Sequence, residues 1–303
     1  MRHVFLFIRA VCALLLAAFL FSVNATPAQA TTFYNEDMVC GACGQVSSQR
    51  IFSSFYFPFP PDMDLQPAHL ALRGSDLKEC PHCGYIATNF SKPPSEAARA
   101  VFTSPAYAGI ATLAVPDPAR PYLRAALLEE AEGDYVAAGL NMSDAAWLCA
   151  VSEARWEAEM ERWETANREN GKGLERTWFE FDLDDLPKYI EFPPLPPETT
   201  PELAALATTY RGKALVLLEK GMDLNPLDSE THFFVPYLLL ELNRRAGNFE
   251  RAKYFLAQTR TLSAAKNDDN DERYTLLLDR EEELINNKIS SRQSAIPIFN
   301  KLN

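Results

Sequence analysis

Residues 79–85 read E-C-P-H-C-G-Y, and residues 39–44 read V-C-G-A-C-G. Each stretch holds two cysteines separated by two residues, with a glycine directly after the second: Gly44 follows Cys43 and Gly84 follows Cys83. That glycine has a physical role. A metal knuckle turns the chain so that backbone N–H groups point at thiolate sulfur, and the turn places one residue at positive φ, where glycine is least strained. Two such knuckles supply four thiolates, from Cys40, Cys43, Cys80 and Cys83, to one tetrahedral ion. The expected ion is Zn2+ in a structural role. Iron is the alternative, because a four-cysteine set takes either metal. Zinc is preferred because a large helical region follows, which an electron carrier rarely needs.

Two rival readings of the cysteines stand beside this one. In an oxidising compartment they form plain disulfides. C-P-H-C is also the active-site tetrapeptide of periplasmic thiol oxidases, in which the first thiolate sits at a helix N-terminus that lowers its pKa. That chemistry needs a helix running on from the second cysteine. Here Gly84 follows instead, and then Y-I-A-T-N-F, which reads as a strand. His82 lies within the second knuckle and is expected to point outwards. His69 is a spare donor beside an already complete shell.

The start of the chain points to export. Residues 1–30 carry Arg2 and Arg9, an apolar run from Val11 to Val23 and an A-Q-A cleavage signal, the order of parts in a secretory signal peptide. Arg9 on one side and Asn24 and Pro27 on the other keep the run short of a membrane span. Cleavage would leave no stable span and a periplasmic or secreted protein of 273 residues. Its net charge would move from −12 to −14. An acidic chain without a Lys/Arg stripe has no footprint for phosphate backbones, so no nucleic-acid partner is expected.

The grammar of the chain changes near Ser95. Residues 31–95 hold four cysteines, frequent Pro and Gly, and the aromatic stretch F-S-S-F-Y-F-P-F-P-P at 52–61, expected to serve as core for a small metal module. Residues 96–288 read as helix. P-Y-L-R-A-A-L-L-E-E-A-E at 121–132 precedes a Gly133-Asp134 break, with a second helix from near Tyr135. A-A-W-L-C-A-V-S-E-A-R-W-E-A-E-M-E-R-W at 145–163 predicts a long amphipathic helix with Trp156, Met160 and Trp163 on one core face and Cys149 as a buried, inert thiol. A Pro-rich linker is expected near 189–201. It ends in T-T-P-E, which places Thr200 as N-cap, Pro201 at the first helical position and Glu202 in the first turn. Residues 289–303 read as a loose tail.

The C-terminal part carries a repeat signal. H-F-F-V-P-Y-L-L-L-E-L-N-R-R-A-G-N-F-E-R-A-K-Y-F-L-A-Q at 232–258 predicts two helices around Gly247-Asn248, the first offering Leu239, Leu240 and Leu242, the second Phe249, Ala252 and Leu256. It resembles a tetratricopeptide unit, in which small residues sit at close helix contacts and a large one fills the gap. Ala214, Leu218 and Gly221 before Pro226 match a second copy, and Tyr135 with Ala138 a third, without a strict period. Residues 271–285 suit a capping helix, with Tyr274, Leu277, Leu278, Leu284 and Ile285 on one side and charges on the other. The generic alternative is an α-bundle. The fold expected is mainly α: a small β-rich rubredoxin-like or zinc-ribbon module followed by an irregular tetratricopeptide-like α-hairpin array.

Taken together, V-C-G-A-C-G, P-D-M-D-L-Q-P at 61–67, K-E-C-P-H-C-G-Y, A-A-W-L and E-L-N-R-R-A-G-N-F-E-R-A resemble a family of uncharacterised bacterial proteins, a domain of unknown function. Its members pair such knuckles with tetratricopeptide-like helices. The resemblance covers most of the chain after residue 30, and the secretion signal is a departure from it. It implies architecture and metal binding only, since the family has no established activity.

Two function classes follow from these readings. The first is an exported, non-enzymatic, metal-stabilised scaffold that offers a helical groove to a protein or peptide. The second is a periplasmic redox protein, using thiol–disulfide exchange at Cys80 and Cys83 or a rubredoxin-like iron. The chain has no H-E-x-x-H, no G-x-S-x-G and no phosphate-binding glycine loop, which leans towards the first class.

Overall fold

The computed structural model describes residues 32–54, 77–151, 199–224, 231–264, 271–291 and 293. The expected signal peptide, most of the aromatic stretch, D-M-D-L, His69, the Trp156–Met160–Trp163 stripe, Pro226 and most of the Pro-rich linker lie outside them. The chain divides into two units. Of the smaller, Met1–Tyr34 with Phe52–Tyr56, only residues 32–34 and 52–54 are described. Apart from these few residues, which lie at the ends of the first two strands, everything below belongs to the larger unit.

Among the described residues the chain is mainly helical, and two small sheets precede the helices. Strand β1 (Thr32–Val39) pairs with β2 (Val46–Ser54), and β3 (Lys78–Glu79) with β4 (Ile86–Ala87). A C-x-x-C-G turn closes each pair, over residues 40–45 and 80–85. Connections this short leave no room for a crossover, so both ladders are antiparallel; in the second, Lys78 faces Ala87 and Glu79 faces Ile86. The strand expected over Y-I-A-T-N-F is shorter than its text suggests. Pairing stops at Ala87, and the chain turns so that the buried Phe90 can offer its carbonyl to the Gly41 N–H at 3.0 Å.

Two short helices lead away from the sheets. Helix α1 (Glu96–Phe102) is capped by Ser95, whose Oγ accepts from the Ala98 N–H, and α2 (Pro105–Gly109) by Ser104 with proline at its first position. The Ser95 N–H donates to the Glu132 carboxylate at 2.7 Å, tying the start of α1 to the end of helix α3 (Ala119–Glu132). Cys40, Cys80, Tyr85, Ile86 and Phe90 share one core with Ala98, Tyr107, Ala125 and Leu128 of these helices.

Helix α3 ends at Gly133, φ +81°. There the Gly133 and Asp134 N–H groups donate to Glu130 O and Glu129 O, a Schellman ending. Asp134 then caps α4 (Tyr135–Ala150). Helix α4 runs unbroken through residues read as two helices and stops early. Val151 is extended, so the helix expected over 145–163 ends at Ala150 within the described chain. Helix α5 (Pro201–Leu224) begins at the expected cap, with the Leu203 N–H reaching Thr200 Oγ1 at 3.4 Å.

Helices α4 and α5 pack antiparallel and very close. A Cβ on Gly139 would lie 2.6 Å from Leu218 Cγ, and one on Gly221 would lie 2.8 Å from the Val136 backbone nitrogen. Each glycine is a notch for a residue of the other helix, and Ala138 and Ala214 are fully buried in the same core.

Helix α6 (Thr231–Arg245) and α7 (Phe249–Ala264) form a hairpin around Gly247, which repeats the Schellman ending. Helix α8 (Asp271–Asn286) packs on α7 and ends the same way at Lys288, a lysine at φ +53°. Helix α6 is buried on nearly every face from Phe233 to Arg244, rather than on the single leucine face expected. Its buried charges form a closed group. Arg244 donates to both Glu241 carboxylate oxygens, lies 3.0 Å from Glu281 of α8, and donates to Ile289 O and Ser291 O. Removing one partner of such a buried pair leaves the rest uncompensated, worth about 3–5 kcal/mol. Among the described residues no helix is long and apolar enough to cross a membrane.

The α4–α5 contact predicts an asymmetry between two glycines of one helix. Gly221→Val forces backbone apart and should destabilise by about 1–3 kcal/mol. Gly212→Ala meets open space and should be neutral or stabilising by up to about 1 kcal/mol. Thermal unfolding followed by circular dichroism distinguishes the two.

Candidate metal centre

The two knuckles are built by the same bonds. In the first, the Cys40 N–H donates to Gln45 O at 2.9 Å and the Gly44 N–H to Cys40 O at 2.8 Å; in the second, Cys80 donates to Tyr85 O and Gly84 to Cys80 O, both at 2.8 Å. Gly44 and Gly84 sit at φ +72° and +76°, the left-handed turn that the sequence demanded of them. The middle of each turn is not helical and leads into a strand, so among the described residues no helix runs on from Cys83.

The turns bring all four sulfurs together. Cys40 Sγ lies 3.8 Å from Cys83 Sγ, Cys43 Sγ lies 3.7 Å from Cys80 Sγ, and the four atoms fall within 4.8 Å of one another. Four sulfurs held about 2.3 Å from one tetrahedral centre stand about 3.8 Å apart. A disulfide needs about 2.05 Å, and all four cysteines are free. Cys40 and Cys80 are buried, Cys83 is half-buried and Cys43 is exposed.

Backbone N–H groups aim at three of these sulfurs. Burial raises the Cys80 pKa, but the N–H groups of Cys83 and His82, together with the Cys83 and Cys40 side chains, outweigh it, and the net shift is downward. For Cys40 burial prevails and the pKa rises, against N–H groups from Cys43 and Ala42. For Cys83 burial raises the pKa well beyond the thiol range, reinforced by the other three sulfurs and opposed by the Tyr85 N–H. Four crowded thiols therefore resist ionising together unless a cation joins them.

Neighbouring side chains lock the second knuckle. Tyr107 of α2 donates its hydroxyl to Gly84 O at 2.7 Å, and burial raises its pKa. Arg124 of α3 pairs with Glu79 at 2.7 Å and lies 5.5 Å from the Tyr107 ring centre. The first knuckle is held through its backbone at Gly41, whose N–H donates to Phe90 O and on which a Cβ would stand 2.2 Å from Lys92 O. His82 is exposed, as expected, with Nε2 3.3 Å from Val46 O. Cys149 is buried within the main helical core, where desolvation pushes its thiol up to about 11.

Tyr107, Arg124 and Glu79 form a support that sequence reasoning missed, because it joins residues 45 apart or closer in no periodic pattern. Glu281 was missed as well. Its spacing from Leu277, Leu278, Leu284 and Ile285 places it on the apolar stripe of α8, a signal that was there to be read. Comparison of the chain with protein-family models, with curated proteins and with solved structures yields no match.

Close to this centre, Glu129 of α3 accepts from Asn141 of α4. Burial raises its carboxyl from 4.5 to about 7; the Asn141 bond opposes this and Asp134 adds to it. The folded state thus holds the proton more tightly than the unfolded state. Its stabilising effect is complete below about pH 4.5 and is lost as pH rises through about 7. Glu129→Gln should raise stability at pH 8, by at most about 3 kcal/mol, and leave it unchanged at pH 4. Denaturant titrations at the two pH values check the sign.

Proposed function

We propose that Cys40, Cys43, Cys80 and Cys83 ligate one structural zinc ion, and that the chain is a non-enzymatic, metal-stabilised interaction protein. The observation that carries the metal reading is the convergence of four sulfurs at tetrahedral-edge spacing from two identically bonded knuckles. Four thiolates close the coordination shell, leaving no position for a water or substrate, so zinc here supplies folding free energy rather than Lewis acidity. The chain's own residues do the positioning: Gly44 and Gly84 make the turns, and Tyr107 and Phe90 hold the knuckles to the helices.

The helical part supports an interaction role through its hairpins, α3–α4 and α6–α7, each turned at a glycine and followed by further packed helices. Tetratricopeptide kinship, and with it membership of the family resembled on the knuckles and on E-L-N-R-R-A-G-N-F-E-R-A, is part of this proposal. So are export directed by residues 1–30 and a protein or peptide partner. The second reading is a rubredoxin-like iron carrier, favoured by the N–H groups aimed at sulfur and the exposed edge at Cys43. A thiol-oxidase role lacks the helix N-terminus that would activate Cys80.

Metal analysis of protein purified without added metal should find one zinc per chain and no visible absorption; one iron with a red colour would favour the carrier. Cys83→Ser should lose the metal and loosen α1–α3, which share the knuckle core, while leaving α4–α8 folded. A variant with wild-type metal content and stability would overturn the four-thiolate reading.

A further inference from the structure

The four sulfurs are not equally accessible. Cys40 and Cys80 are each 1% exposed and Cys83 is half-buried, whereas Cys43 is an exposed residue. The space beside Cys43 is open: a Cβ on Gly44 would meet nothing within 4 Å, and Val39 and Val46, which flank this knuckle, are themselves exposed. Directly behind Cys43, 3.7 Å away on the other knuckle, lies the buried Cys80 sulfur. A small oxidant thus meets one sulfur first, with a second poised to react.

We propose that the centre is a redox-released metal site, in which the Cys43 sulfur attacks hydrogen peroxide and the product is a Cys43–Cys80 disulfide bridging the two knuckles. This rests on the metal reading above. In the first step the Cys43 sulfur gives an electron pair to the peroxide, the O–O bond breaks, and a sulfenic acid and hydroxide form. In the second, Cys80 sulfur attacks Cys43 sulfur, the S–S bond forms and a second hydroxide leaves. Two thiolates lose two electrons, hydrogen peroxide takes them, and two protons from solvent turn the hydroxides to water. The site then keeps two of its four donors, too few to hold the ion. Because Cys40 and Cys80 are core residues shared with α1–α3, release also loosens that core. Cys149, buried among helices, takes no part.

The test uses the full zinc-loaded chain, its metal content measured beforehand, treated with hydrogen peroxide in the presence of a zinc-sensitive dye. One zinc should appear per disulfide, peptide mapping should place that disulfide at Cys43–Cys80, and a sulfenate trap should label Cys43 first. A dithiol reductant with zinc should reverse the change. Cys43→His keeps a donor but removes the sulfur, and should slow release roughly tenfold. An unchanged rate would overturn the proposal; if that variant holds no zinc, the mapping of the native chain decides alone. A Cys40–Cys43 or Cys80–Cys83 disulfide, first labelling at another cysteine, or oxidation without zinc release would equally overturn it. A chain holding no stoichiometric metal before peroxide fails the metal reading instead, so the two failures are separable.

Discussion

Four sulfur atoms within 4.8 Å of one another are the constraint around which the first part of this chain is arranged. Ionised, they repel; neutral and buried, they fill little space. Two small two-stranded sheets and two tight turns bury too little apolar surface to fold unaided. The arrangement becomes stable only if something binds all four sulfurs and something else covers them. In the proposed reading a cation does the first. Helices α1, α2 and α3 do the second, through Ala98, Tyr107, Ala125 and Leu128. The knuckles and these helices thus depend on one core, and a perturbation at sulfur is felt at α3.

From α3 onward a different physics takes over. Glycine notches let α4 and α5 approach until Leu218 and Val136 fill the space a side chain would take. Three helix ends repeat one hydrogen-bond pattern at Gly133, Gly247 and Lys288. The Arg244–Glu241–Glu281 group is fully buried, and buried ion groups of this kind often add little stability over apolar side chains of similar volume. Its directional bonds to Ile289 O and Ser291 O fix where the chain goes after α8. We read the group as a device for specificity of packing rather than for stability.

Local rules were legible in the sequence, and non-local ones were not. C-x-x-C-G implies a turn with positive φ whatever surrounds it, so Gly44 and Gly84 were readable. Thr200 before Pro201, and G-N-F after R-R, announce helix ends by capping chemistry alone. The end of α4 at Ala150 was not readable, because apolar spacing continues through Trp156 and nothing local marks Val151 as a stop. Likewise, V-P-Y-L-L-L-E-L could not say that α6 would be covered on all faces, since burial depends on distant elements. Tyr107 on Gly84, and Arg124 on Glu79, join segments that carry no mark of one another. The convergence of Cys40, Cys43, Cys80 and Cys83 was inferred from donor chemistry, whereas the nearest pairs, Cys40 with Cys83 and Cys43 with Cys80, come from the geometry.

The central claim is that all four sulfurs bind one ion. X-ray absorption at the metal edge of the purified chain tests it most directly, because it counts donors by element and distance. The account predicts a single shell of four sulfurs at about 2.3 Å. A shell with nitrogen from His82, fewer than four sulfurs, or no bound metal at all would contradict it.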